Sequence, residues 1–391
     1  MRIIKIVTLM SLTYCGMAQK PEKIYRLTRQ ERNYAFYTEQ TSLWKKETEK
    51  SPKNAAAWQN YYYAVRYANI TDPAGSTEAR RNQMKEIITS MDKKIPGTLE
   101  YYQCKLLSFN KEQVPAPIEQ LAIMDKAYKF APNDPDILEE MIVYAEVTGN
   151  IEKLREYYAH MLISGVYELP VLEANYNMLM STDKNSILFT EGDNDTFPAW
   201  MLQQAKGVRT DVTVINTSLA GYFTEYLKRM LKQKNMVLPE EFYVKMKSMD
   251  PTAFLKELII EINKKYPNVN LFFSITYPGI YDVFADSLYC TGLAYLYSPV
   301  RIENISKLKD NVENKFHLDY LKDGLVEVKP ASKQLAENFN YNYFIPFGML
   351  YKYYRNLNES NSKMQFYKDF CIGNATKRGK QEQMKEYLDA K

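Results

Sequence analysis

The sequence predicts a first half of packed α-helical hairpins, followed by an α/β domain with mostly parallel strands and a helical tail. Three observations carry this reading. Over residues 22–180 the apolar residues recur at helical period, with Pro or Gly at the breaks and almost no β-branched runs. At Asn185 the pattern changes to short apolar runs, 186–190, 211–216 and 270–276, separated by amphipathic stretches. From Ala331 onward the helical period returns, dense in aromatic residues. The expected boundaries are 1–18 for an N-terminal leader, 19–180 for the helical region, 181–330 for the α/β domain and 331–391 for the helical tail.

The leader has Arg2 and Lys5 around an apolar run that ends at Leu12, then Gly16 and Ala18 as small residues before Gln19. This is the pattern of a secretory signal peptide cleaved after Ala18. The competing reading makes Cys15 the lipidated first residue of a lipoprotein; Tyr14, bulky where a small residue is wanted, argues against it. Cleavage removes two positive charges and no acid, so the formal charge of +4 falls to +2. A nearly neutral chain is a poor match for a nucleic-acid backbone. After the leader no apolar run reaches the ~20 residues that span a bilayer. The expectation is a soluble exported protein, periplasmic or extracellular. With only His160 and His317 in 391 residues, histidine-based metal sites and Ser-His triads have little to draw on. Cys104, Cys290 and Cys371 lack CxxC spacing and read as small buried apolar residues.

Two places in the helical region resemble the tetratricopeptide repeat, a helix-turn-helix unit. In the better one Ala127 to Pro132 has the spacing of a helix end, Leu138, Met141 and Ala145 follow, Gly149 falls at the turn and Tyr158 on the large aromatic position. The weaker one runs from Lys50 through Pro52 and Asn54 to Trp58, Tyr61, Tyr62 and Val65. In such hairpins the small Ala lets helices approach, aromatics fill the groove and Pro stops one helix before the next. Each hairpin leaves an apolar face for its neighbour, so at least three are expected to stack. Such arrays either bind a peptide or protein in a groove or only support the domain beside them.

In the α/β region the strand at 186–190, a helix at 198–206 closed by Gly207, and the strand at 211–216 form a βαβ unit with Rossmann-like, parallel pairing. Helices at 219–233 and 251–265 precede the third strand, and 288–297 and 325–328 are further strand candidates. Ligands of such sheets sit outside the carboxyl ends of the strands. The first strand ends in Glu191-Gly192-Asp193-Asn194-Asp195-Thr196-Phe197-Pro198. Asp193, Asn194, Asp195 and Thr196, with Trp200 beyond them, are therefore the candidate ligand-binding residues.

Asp193 and Asp195 are formally a DxD pair, which in nucleotide-sugar transferases holds a divalent cation against a diphosphate. No basic or Gly-rich phosphate loop accompanies them. A dehalogenase-type phosphatase needs DxDxT, and here Thr196 comes one place early; an EF-hand needs more oxygen ligands and a Gly at its sixth position. The structural reading has Gly192 in a tight turn, Asp195 or Thr196 capping a helix and Pro198 in its first turn. No residue is assigned a catalytic role.

The stretch from Asn185 through Gly-Asp-Asn-Asp-Thr-Phe-Pro-Ala-Trp200, with Gln203, Gly207-Val-Arg-Thr-Asp211 and Asn216-Thr-Ser-Leu219, resembles a family of bacterial multi-spanning envelope proteins related to protein O-mannosyltransferases. Their extracytoplasmic region carries a stretch like GDNDTFPLWYLQ and helical repeats. Gly292-Leu-Ala-Tyr295 and Pro299 resemble a second segment of that region. Ala199-Trp200-Met201 departs from the usual LWY, and Tyr295-Leu-Tyr297 lacks the usual Arg. The resemblance implies a free-standing relative of the extracytoplasmic part, without the membrane portion where sugar transfer is expected.

The expected function is that of a non-enzymatic cell-envelope protein that binds or assembles a protein partner, with no required cofactor. The alternative is a glycan-binding or metal-dependent protein, or an enzyme, that uses the turn at Asp193-Asn194-Asp195, with a divalent cation as the possible cofactor. In the tail, the tyrosines from Tyr341 to Tyr354 read as core, and 377–391 as a solvated or frayed helix.

Overall fold

The computed structural model describes residues 20–111, 113–322, 326–359 and 361–390. The leader at 1–18, with Cys15, lies outside them. The chain divides into two compact units, one made of 32–101 with the residues up to Ile24, the other of 25–31 with everything from Tyr102 onward.

The first unit holds α1 (Tyr34–Lys50), α2 (Ala55–Thr71) and α3 (Glu78–Lys94). Each starts where a short polar side chain caps the free amides: Asn33 accepts from Phe36 N, Asn54 from Ala57 N and Thr77 from Arg80 N. α2 is buried on nearly all sides, with Trp58, Tyr61, Tyr62, Tyr63, Val65 and Tyr67 in the core. The polar tip of Trp58 is satisfied at the Pro52 carbonyl (2.9 Å), so the indole fills the groove at no hydrogen-bonding cost.

After α4 (Leu99–Leu107), the second unit continues with α5 (Ile118–Phe130), α6 (Pro135–Thr148), α7 (Ile151–Ser164) and α8 (Leu169–Met180). α6 and α7 form the hairpin expected from spacing. Gly149 turns the chain at φ +74°, and Asn150 caps α7 through Lys153 N. Ala127, Leu138, Ala145 and Tyr158 are all buried.

The five strands are β1 (Ile187–Thr190), β2 (Thr213–Asn216), β3 (Leu271–Ser274), β4 (Leu288–Cys290) and β5 (Ala294–Tyr297). They form one sheet in the order β2-β1-β3-β5-β4. β1 pairs in parallel with β2 and β3, Ile187 lying beside both Thr213 and Leu271, whereas β5 is antiparallel to β3 and to β4. The sheet is therefore mixed rather than mostly parallel. The short link Thr291–Leu293 between β4 and β5 permits only a hairpin, because a parallel crossover needs about a dozen residues or more. Ile187, Leu188 and Phe189 are fully buried, as a strand covered on both faces requires.

α9 (Asp193–Lys206) connects β1 to β2. It begins five residues before the expected start, because Gly192 and not Asp195 or Thr196 holds the N-cap position, and Pro198 lies within the helix. The predicted helix at 219–233 is two, α10 (Thr217–Tyr222) and α11 (Thr224–Lys232), broken at Phe223, whose backbone is extended. α12 (Glu240–Met246) and α13 (Pro251–Lys265) lead to β3, and α14 (Ile280–Phe284) follows it. Of the strand candidate at 325–328, residues 326–328 are not strand and Leu325 lies outside the described residues.

Gly292 explains one segment of the sequence resemblance. At φ +141°, a Cβ there would meet Ser181 Oγ at 2.4 Å and the Phe316 ring at 2.5 Å. The same Ser181 hydroxyl accepts from Leu293 N at 2.8 Å, so the β4–β5 hairpin is seated directly on the end of α8.

α15 (Ile305–Asp310) is followed by the tail helices α16 (Lys333–Tyr341), α17 (Phe344–Asn356), α18 (Ser362–Lys377) and α19 (Gln381–Asp389). Tyr343, Phe344, Phe347, Tyr351 and Tyr354 are core residues. α19 is docked rather than frayed: Leu388 is buried and its carbonyl accepts from Arg355 Nη1 at 2.6 Å. Cys104, Cys290 and Cys371 are buried, as expected. No helix of the described residues is long and apolar enough to cross a membrane.

Candidate functional site

β1 lies between β2 and β3, so the chain leaves it in one direction through α9 and returns past it to reach β3. With the usual right-handed crossovers the two connections cover opposite faces, and a crevice opens at the carboxyl ends of β1 and β3. Two hollows of 310 and 380 Å³ occupy this place, both in the size range of small-ligand sites. Glu191, Pro251 and Tyr277 line both.

A buried polar lattice holds the strand ends behind these hollows. Thr190 and Thr196 share a hydrogen bond of 2.7 Å, and Asn216 Nδ2 donates to Thr196 Oγ1 (3.0 Å) and to the Glu191 carbonyl (3.1 Å). Asn216 Oδ1 accepts from Leu219 N, which starts α10. Thr217 Oγ1 donates to the Thr190 carbonyl (3.1 Å) and is 2.8 Å from the Tyr277 hydroxyl, which ties β2 to the loop after β3. These ties join the end of β1 to α9, to the end of β2 and, through Thr217, to the loop after β3, so the floor of the crevice is rigid.

The candidate residues of the acidic turn do not converge. Residues two apart on a helix point about 200° away from each other. Asp195 turns inward and is 3% exposed; Thr276 Oγ1 donates to it at 2.7 Å. Burial raises its carboxyl to about 6, against the hydrogen bonds from Thr276, the Glu191 amide and Ser274. Asn194 Nδ2 donates to the Thr28 carbonyl at 2.7 Å. Asp193 is exposed, under the through-space influence of Arg26 and Lys111; crowding by protein pulls its carboxyl upward, and access to water blunts that pull. Thr196 belongs to the lattice. Trp200 is core: its Nε1 donates to the Val214 carbonyl (3.1 Å), and it borders a 90 Å³ cavity that shares no lining residue with the crevice.

One ion cannot rest between carboxylates that diverge in this way. Among the described residues no group of three or more His, Cys, Asp or Glu is arranged to hold a metal. His317 is stacked on Tyr176 with centroids 4.0 Å apart and its Nδ1 is 2.7 Å from Glu173, while His160 bonds Asn133.

Beyond Asp193 lies a buried ion cluster. Arg26 reaches Glu139 (3.0 Å) and Glu140 (2.9 Å), Arg29 reaches Asp136 (2.6 Å), and Lys111 reaches Glu140 (2.6 Å). Burial would raise Glu140, but Lys111 and Arg26 outweigh it and hold the carboxyl at about 2. Burial wins at Glu139, which rises to about 7 despite Arg26, with Asp136 adding to the effect.

Most of the long sequence motif is thus scaffold. Gln203 Nε2 donates to the Arg209 and Val212 carbonyls, and Arg209 braces the end of α8 through the Leu179 and Thr182 carbonyls. The polar groups that face solvent at the strand ends are others: Glu191, Ser218 and Tyr277, with Tyr222 exposed at the rim. Glu191 and Ser218 were within reach of sequence reasoning, being in the acidic turn and the Asn216-Thr-Ser-Leu219 stretch. Tyr277 required the strand-end rule to be applied to the third strand as well as the first.

Residues 171–248 match the family model of TMEM260-associated domain 2. TMEM260 is a multi-spanning member of the protein O-mannosyltransferase family. Neither a curated protein nor a solved structure matches the chain. The matched stretch runs from α8 to just past α12, and so contains Glu191, Ser218 and Tyr222 but not Tyr277. It is about a fifth of the chain, and what it establishes is this domain, in an architecture of helical hairpins, a mixed sheet and C-terminal helices.

Proposed function

We propose that this chain is a non-catalytic binding protein of the cell envelope whose crevice at the ends of β1, β2 and β3 takes a neutral, hydroxyl-rich ligand, a glycan. The observation that carries this is the chemistry at the amino end of α9. In nucleotide-binding α/β folds that position receives phosphate, because free amides and the helix dipole attract an anion. Here Glu191, Asp193 and Asp195 surround it, and an anionic nucleotide would be repelled. What the crevice offers instead is the Glu191 carboxylate, hydroxyls and the rings of Tyr222 and Tyr277, with the ammonium groups of Lys247 and Lys256 on its two sides. Carboxylates and hydroxyls satisfy sugar hydroxyls, and aromatic rings cover their apolar faces. The Rossmann-like reading of the sheet belongs to this proposal, through its strand-end site.

The test is a printed array of defined glycans probed with the mature protein. Binding that Glu191→Gln weakens supports the reading; absence of binding to every glycan by a folded sample overturns it. Export is supported by the leader pattern, and intact-mass measurement of exported protein should show cleavage after Ala18, without lipid on Cys15.

A second reading, that the tetratricopeptide-like hairpins bind a protein partner, is favoured by a 220 Å³ groove across α5, α6 and α7, lined among others by Tyr128, Tyr144, Lys153 and Tyr157. Capture of an envelope protein by the intact chain, lost in Tyr144→Arg, would support it. Capture indifferent to that change would count against the groove.

A further inference from the structure

The crevice is divided in two, and the division has a chemical consequence. Glu191, Pro251 and Tyr277 line both hollows, so they form the partition between them. The 310 Å³ hollow continues past Ser218 to Tyr222, which is 71% exposed, and to Met246 and Met249. The 380 Å³ hollow continues past Thr252 and Lys256 to Gly279 and Asp282. One side thus offers an aromatic face, a hydroxyl and the Lys247 ammonium, the other a carboxylate, the Lys256 ammonium and a hydroxyl.

The helix end beside the second hollow is not open to an anion. The first amides of α13, which border the second hollow, are already taken: Asp250 Oδ1 accepts from both Thr252 N and Ala253 N at 3.0 Å. The Ser218 Oγ to Glu191 Oε1 contact on the partition is slack at 3.4 Å, so both groups can exchange it for a ligand hydroxyl without loss. Tyr277 is held in place by Thr217, so the partition does not collapse into either hollow.

We infer that the ligand is an oligosaccharide lying across the partition, one sugar residue in each hollow, with the linkage passing Glu191 and Tyr277. This rests on the glycan reading above and adds a minimum length to it. A single sugar would occupy one hollow and leave the other to water. A chain of two engages the stacking surface at Tyr222 and the polar groups at Asp282 together, and the second contact comes as an intramolecular event.

The experiment is titration calorimetry of the intact mature protein with ladders of one, two and four residues built from glucose, N-acetylglucosamine and mannose. Within the ladder that binds, affinity should rise about tenfold or more from one residue to two, a step of about 1.4 kcal/mol. Tyr222→Ala and Asp282→Ala, both exposed positions, should each weaken the two-residue ligand about tenfold and leave the fold unchanged by circular dichroism. Only one of them should affect the single sugar. Equal affinity for one and two residues, or a two-residue ligand insensitive to either substitution, overturns the inference while leaving glycan binding standing. Failure of every ladder to bind overturns the glycan reading itself.

Discussion

The two flanks of the acidic turn solve the same problem in different ways. On the Asp193 side, carboxylates from α6 are buried against Arg26, Arg29 and Lys111, so each charge meets an opposite charge. On the Asp195 side a carboxylate is buried just as deeply, and its hydrogen-bond partners are hydroxyls and an amide, with no cation among them. A cation neutralises a carboxylate and completes a structural contact. A hydroxyl lattice leaves the carboxylate's charge in place beside an open crevice, and one carboxylate of the same turn, Glu191, faces solvent there. The first flank therefore reads as a clasp and the second as the border of the proposed site, although both are built from Asp, Glu and short polar residues.

The contrast breaks most easily on the clasp side. Arg26→Ala should cost about 3 kcal/mol in urea unfolding, because Glu139 loses its direct ion partner while Glu140 keeps Lys111. A loss under about 1 kcal/mol would mean that the cluster is wetter and weaker than its geometry indicates.

On the site side the sign reverses. Asp195 is raised from about 3.8 to about 6, so the native state holds the proton more tightly than the unfolded chain. The resulting stabilisation is complete below about pH 4 and is lost as pH rises through about 6, leaving an ionised buried group that costs about 3 kcal/mol at pH 7. Asp195→Asn keeps the bond from Thr276 but loses about 1 kcal/mol at the Glu191 amide. The variant should be more stable than wild type by about 2 kcal/mol at pH 7 and slightly less stable at pH 4. Chemical denaturation at both values checks this, and a pH-independent difference would show that the carboxylate is not ionising in a buried place.

The smallest effect sharpens the boundary between the flanks. Asn194 joins the turn to the 25–31 segment through a single bond to the Thr28 carbonyl. Asn194→Ala should cost about 1 kcal/mol and leave the glycan affinity proposed for the crevice unchanged. A change in affinity would mean that the clasp positions the site.

Much of the fold was legible because it is local. Gly149 at a turn, Ala127 and Tyr158 at helical spacing, and the β-branched run that became β2 each act on residues a few places away. The location of the crevice was legible too, since strand ends are a topological place and the first strand was recognisable. The orientation of the turn was not. Asp195 finds its partner 81 residues along the chain, Thr217 meets Tyr277 across 60, and Arg26 meets Glu140 across 114. Nothing in the local pattern around Asp193 distinguishes a metal pair, a helix cap and two divergent carboxylates. One residue of offset in the helix start decides among them, since each step turns a side chain by about 100°.

What the sequence alone determined is therefore the succession of helical hairpins, short strands and helical tail, and the placing of three acids where a phosphate would otherwise sit. Those follow from periodicity, caps and charge, which operate over a turn or two of chain. Only the tertiary structure decided that the sheet is mixed, that the acids face three ways, and that the partition of the crevice is made by Glu191, Pro251 and Tyr277. These depend on which distant segments pack together, and packing selects among partners that the local pattern leaves equivalent.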